Sequence, residues 1–96
     1  MLLDDIRAQK TAIDRLSAEF GARRVRIFGS VARGDEALHS DIDLLVDFDR
    51  GYDLFAQRLA LTRELTDLLG RPVDLIPVHE LNPHLREKIL SEAIDL

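Results

Sequence analysis

The chain of 96 residues contains no cysteine, so it has neither a disulfide framework nor a thiolate metal site. It also has no apolar run approaching the ~20 residues needed to cross a bilayer as a helix. An excess of positive charge is missing as well. The formal net charge is -5, which argues against broad non-specific binding to nucleic acid, where phosphate neutralisation supplies most of the affinity. A local basic patch stays compatible with that total. The opening stretch MLLDDIRAQK lacks the basic n-region and uninterrupted apolar h-region of a secretory signal, and the cytoplasm is the expected compartment. No GxxxxGK(S/T) loop occurs, which excludes a P-loop ATPase. Repeats, low-complexity segments and linkers are absent too.

What is present reads as a globular chain, 46% hydrophobic and 32% charged. A chain this short buries one core, so residues 1–96 are expected to form a single domain that a partner completes. Ile6, Ile13, Leu16 and Phe20 recur at helical spacing after Leu2 and Leu3, predicting an amphipathic helix over residues 2–19 that stops at Gly21. The run VRIF predicts a first strand over residues 24–28, and a second strand is expected over 42–48. Leu54, Leu61, Leu65 and Leu68 mark a helix over residues 53–69 that ends at Gly70. PVDLIPV reads as a third, border strand, because Pro72 and Pro77 suit a sheet edge. In the tail, Asn82 is a candidate N-cap and Pro83 the first helical position, with Leu85, Ile89 and Ile94 assigned to one side of a last helix.

Within IFGSVARGDEALHSDIDLLV, residues 27–46, a strand ends at Gly29-Ser30 and the next begins with two aspartates. Strand side chains alternate faces, so Asp41 and Asp43 project from the same side. Like charges this close repel, and one would hold its proton unless a cation sits between them. Hard carboxylate oxygens, without cysteine or a histidine pair, favour magnesium over zinc. Magnesium takes substrate phosphates as further ligands, which points to a phosphate-bearing substrate. Asp74 is a third acid near the start of a strand, flanked by apolar residues. Its alternative reading is an edge charge that discourages sheet-to-sheet pairing.

Gly29 and Ser30 supply a complementary half-site, since glycine lets backbone approach a ligand and the serine hydroxyl with neighbouring N–H groups can hold a phosphate. For that turn to face Asp41 and Asp43, strands one and two must be antiparallel. For Asp74 to join them, strands two and three must be parallel, with the helix of residues 53–69 as the crossover. Two roles stay open for Arg33, a phosphate contact or a solvated loop arginine. His39 stands beside the acids, while His79 and His84 flank the last loop. Lone histidines of this kind are more often surface residues than ligands.

Gly29-Ser30 followed by Asp41-Ile42-Asp43, with SVARG after the glycine, SDIDLLV around the acids and a later VDLI, resembles the signature of the nucleotidyltransferase superfamily typified by DNA polymerase beta. The similarity spans essentially the whole chain, and the minimal nucleotidyltransferases, the MNT proteins paired with HEPN-domain partners, resemble it most. The resemblance implies an α/β fold of the minimal nucleotidyltransferase kind, a small mixed three- to four-stranded sheet flanked by helices. It implies Asp41, Asp43 and Asp74 as catalytic acids and ligands of two magnesium ions, with Gly29, Ser30 and Arg33 on the nucleotide's phosphates. It further implies ATP as donor and AMP transferred to a tyrosine of a HEPN ribonuclease toxin, an antitoxin acting by modification. The alternative is a non-catalytic antitoxin that neutralises its partner by occlusion. No membrane and no direct nucleic-acid contact are expected. Arg33 and His39 share the spacing of the HEPN ribonuclease motif, but that motif belongs on a helix, which Gly34 and the run into a strand deny.

Overall fold

The structure, a computed structural model, describes residues 2–96. Two short helices, α1 (Leu2–Arg7) and α2 (Lys10–Glu19), stand where the sequence predicts one. The apolar stripe explains the break. Ile6 and Ile13 are both buried, but Gln9 and Lys10 fall between them where a continuous stripe needs an apolar residue, and the chain bends there. After Gly21, strand β1 (Arg23–Phe28) leads directly into a five-residue helix, α3 (Gly29–Arg33), where a turn was expected. Strand β2 (Ile42–Asp47) follows.

The predicted crossover helix begins as a π-helical segment, Leu54–Leu59, and continues as α4 (Ala60–Leu69). Its start is fixed by Asp53, whose side chain accepts hydrogen bonds from the N–H groups of Phe55 and Ala56, both at 2.9 Å. Its end is Gly70 in the left-handed region, φ 70°, a conformation that costs glycine nothing. Strand β3 (Val73–Pro77) leads through a 3-10 turn (Val78–Glu80) to α5 (Pro83–Glu92), then β4 (Ile94–Asp95). Asn82 does cap α5, accepting from the His84 N–H at 2.9 Å. Ile94, expected on that helix, is in β4. It lies five residues beyond Ile89, which is not a helical repeat, and Ala93 has already turned extended.

The four strands form one sheet in the order β3-β2-β1-β4. β1 and β2 are antiparallel and β2 and β3 parallel, as the placement of the acids required. β3 is at an edge, where its proline is tolerated. Ile27, Ile42, Leu44, Val46, Val73 and Leu75 face the first helical layer, packing with Ile6, Ile13, Val31, Leu61 and Leu65. Leu45 and Phe28 face the other way, and with Leu81 they form a smaller cluster against Ile89, Leu90 and Ala93 of the C-terminal segment. Both sides of β2 are therefore covered. Among the described residues no helix is long and apolar enough to cross a membrane.

Leu45 is fully buried at the centre of the smaller cluster. Truncating such a leucine removes its transfer free energy and leaves a cavity. Leu45→Ala should lower the unfolding free energy by about 2–5 kcal/mol, read as a lower urea midpoint with unchanged slope. A loss under ~1 kcal/mol would mean that this layer contributes little to the fold.

Candidate active site

The antiparallel register sets Phe28 opposite Asp43, and the parallel register sets Asp43 opposite Asp74. The end of β1, the start of β2 and the start of β3 thus lie side by side at one rim. Asp43 and Asp74 share a sheet face with Leu45, the face that α5 partly covers. Asp43 is half-buried, whereas Asp74 and Asp41, the residue just before β2, are exposed. Each acid stands where an alternating strand puts it.

Directly after Phe28 the chain turns at Gly29 with φ 75°. A Cβ added there would overlap the Asp43 carboxylate oxygen. Glycine is therefore required twice, for the left-handed backbone and for the space Asp43 occupies. Ser30 follows, half-buried, in the first turn of α3. Arg33, at the other end of α3, is exposed and pairs with Asp35 at 3.3 Å and with Glu92 at 3.2 Å. Those two hydrogen-bonding acids raise its pKa further and keep it charged.

Glu92 is a site residue that sequence reasoning missed. One of its carboxylate oxygens accepts from the Gly29 N–H at 2.8 Å, and the Arg33 Nη1 donates to both oxygens, at 3.2 and 3.3 Å. No local signal would have found it, since Glu92 and Gly29 lie 63 residues apart in sequence and only the pairing of β4 with β1 brings them together. The histidines do not join this group by any bond: His39 and His84 are exposed, and His79 packs edge-on against Tyr52. Asp49 pairs with Arg23 at 3.0 Å, away from the rim.

The Asp43 carboxyl is pushed up from 3.8 to about 6. Burial is the main cause, followed by the negative charges of Asp74 and Asp41, while Arg33 opposes the shift and Glu92 adds to it. An acid so crowded by like charge, built from hard oxygen donors, fits a divalent cation such as magnesium. Among the described residues no three carboxylates or imidazoles form a cage for a metal ion.

The family of nucleotidyltransferase domains matches residues 9–96, and the chain belongs to it. This makes it a nucleotidyltransferase, with the mixed sheet and flanking helices expected from the sequence. The chain is 38% identical over 87 residues, 91% of its length and 92% of the relative's, to a Methanocaldococcus jannaschii protein named as a candidate protein adenylyltransferase. It is 34% identical over 95 residues to the protein adenylyltransferase MntA of Thermococcus cleftensis, covering 98% of this chain and 95% of that one. A solved structure described as a candidate minimal nucleotidyltransferase superposes with a TM-score of 0.85 at 47% identity, covering 100% of this chain and 97% of the other. A tri-AMPylated HEPN toxin of Shewanella oneidensis in complex with its MNT antitoxin gives a TM-score of 0.69 at 21% identity, over 93% of this chain and 69% of that one. That last likeness is one of fold.

Two outcomes follow from the geometry. Because the folded chain binds the Asp43 proton more tightly than the unfolded chain, this group's stabilising contribution is fully present below the ordinary aspartate pKa. It is lost as pH rises through about 6. Asp43→Asn should flatten that part of the stability profile and leave the ligand-free unfolding midpoint at neutral pH equal to or above that of the parent. A midpoint several degrees lower would show a stabilising contact instead. Gly29→Ala should cost roughly 1–3 kcal/mol in urea unfolding, since it adds both a clash and an αL penalty. Unchanged stability would contradict the close approach of Asp43.

Proposed function

We propose that the chain is a magnesium-dependent protein adenylyltransferase, the antitoxin of a pair, which moves AMP from ATP to a tyrosine hydroxyl of a HEPN ribonuclease and so silences it. The observation that carries this reading is the half-buried Asp43 packed against Gly29 with Asp74 beside it on the same face. The names of its relatives supply the acceptor class.

In this mechanism Gly29 and Ser30 hold the β- and γ-phosphates through backbone N–H groups and the serine hydroxyl, and Arg33 adds a charged contact. Asp41, Asp43 and Asp74 would hold two magnesium ions, which when bound supply neutralisation of the triphosphate charge. The tyrosine oxygen attacks the α-phosphorus, a new P–O bond forms to the acceptor, the bond to the β-phosphate oxygen breaks, and pyrophosphate leaves. The tyrosine proton passes to Asp74, which is exposed at the rim where an acceptor arrives. Asp43, less exposed, is the deeper member of the acid set. The work of the protein is positioning and charge placement, as in phosphoryl transfer generally.

The test uses an excess of the HEPN partner with catalytic amounts of this chain, ATP and magnesium. The expected result is multiple turnover, an AMP-sized mass increment on a tyrosine, and loss of ribonuclease activity that persists after separation. Asp43→Asn should produce no increment. Silencing that needs one copy per partner, proceeds without ATP and survives Asp41→Asn with Asp43→Asn would establish occlusion instead.

A further inference from the structure

The Gly29 N–H is one of the donors assigned above to phosphate, yet in this structure a carboxylate from the far end of the chain accepts its hydrogen bond. The same carboxylate takes Arg33. An anionic oxygen that bridges a backbone N–H and a guanidinium meets the requirements of a phosphate oxygen at that place.

The contact is built into the sheet register. β4 pairs antiparallel with β1, with Ile94 opposite Ile27 and Asp95 opposite Arg26. Continuing that register by two residues on each strand brings Glu92 opposite Gly29. From the other side, Ile89, Leu90 and Ala93 pack into the Phe28–Leu45–Leu81 cluster. The Glu92 side chain is only 18% exposed. It therefore arrives at the turn held by a strand pair behind it and a packed helix in front, not as a freely rotating surface group. Arg33 and the Gly29 N–H hold this charge in place, against repulsion from the Asp43 carboxylate.

We infer that Glu92 is an internal stand-in for the nucleotide's phosphate, an autoinhibitory contact at the head of α3 that the triphosphate must displace before it can bind. The inference rests on the nucleotide reading proposed above. In the ligand-free chain the Gly29 and Arg33 donors are occupied, so the apparent nucleotide affinity is the intrinsic affinity reduced by the fraction of molecules in which Glu92 has swung away. The C-terminal segment thereby sets the threshold nucleotide concentration at which the enzyme loads, although it contributes no acid to the catalytic set.

Calorimetric titration of the full chain with a non-hydrolysable ATP analogue and magnesium tests this. Glu92→Ala frees the Gly29 N–H and the Arg33 Nη1, while the Arg33 Nε keeps its bond to Asp35, and should tighten binding by about tenfold, corresponding to a parent that is open about one-tenth of the time. Glu92→Gln keeps an acceptor for the Gly29 N–H but loses the charge, and should tighten binding less, by roughly threefold. Thermal unfolding of each variant accompanies the titration. If Glu92→Ala proves unstable, the near-isosteric Glu92→Gln decides by the sign of its change. Parent and folded variant binding the analogue equally, or the variant more weakly as a lost metal ligand or purely structural clamp requires, would overturn the stand-in while leaving the nucleotide reading intact. Absence of magnesium-dependent binding in both would overturn the two together.

Discussion

A carboxylate packed onto a glycine backbone ties the end of one strand to the beginning of the next, and the rest of the rim is arranged around that approach. Asp43 fills the space that any Cβ at Gly29 would take, so the two strands meet at the level where β1 ends and α3 begins. With that level fixed, the parallel pairing of β3 carries Asp74 to the neighbouring position. α3 departs from the same point. A one-residue slip in β2 would send Asp43 to the opposite face, among the apolar residues of the main core, and expose a leucine in its place.

This arrangement is unfavourable for the carboxylate itself. Partial burial together with two neighbouring acids pushes its pKa up to about 6, and the apolar layers on both sides of β2 offset that. Leu44 and Val46 belong to one cluster and Leu45 to the other, so the strand that carries the charge is packed on both faces. Charge and packing are divided along one strand: its start bears crowded like charges and its middle holds the fold. Sites that concentrate charge in this way are commonly destabilising until occupied.

The closing segment has a double character. Through Ile89, Leu90 and Ala93 it completes the smaller hydrophobic cluster, and through the short strand β4 it covers the exposed edge of β1. Covering an edge is a common way to prevent unwanted strand pairing. The same two anchors deliver Glu92 to the Gly29 turn, so the structural role of the segment and its reach into the site cannot be separated in space. In the folded chain that turn's backbone N–H is held by an internal anion.

Much of this was already fixed by local chemistry. Alternation in DIDLLV, the β-branched VRIF and the stops at Gly21 and Gly70 define strands and helix ends from residues a few positions apart, which is the range over which propensity and period act. Requiring the Gly29-Ser30 turn to face Asp41 and Asp43, and Asp74 to join them, also led to the antiparallel and parallel pairings that the sheet displays. The strand β4 that took Ile94 from its expected helix, and its pairing with β1, depended on tertiary contact. The position of Glu92 belongs with them. It lies 63 residues from Gly29, and only a register between strands formed at opposite ends of the chain brings the two together. A sequence determines which residues bear charge and which faces they take, but the meeting of distant backbone donors and side-chain acceptors is decided when the sheet closes.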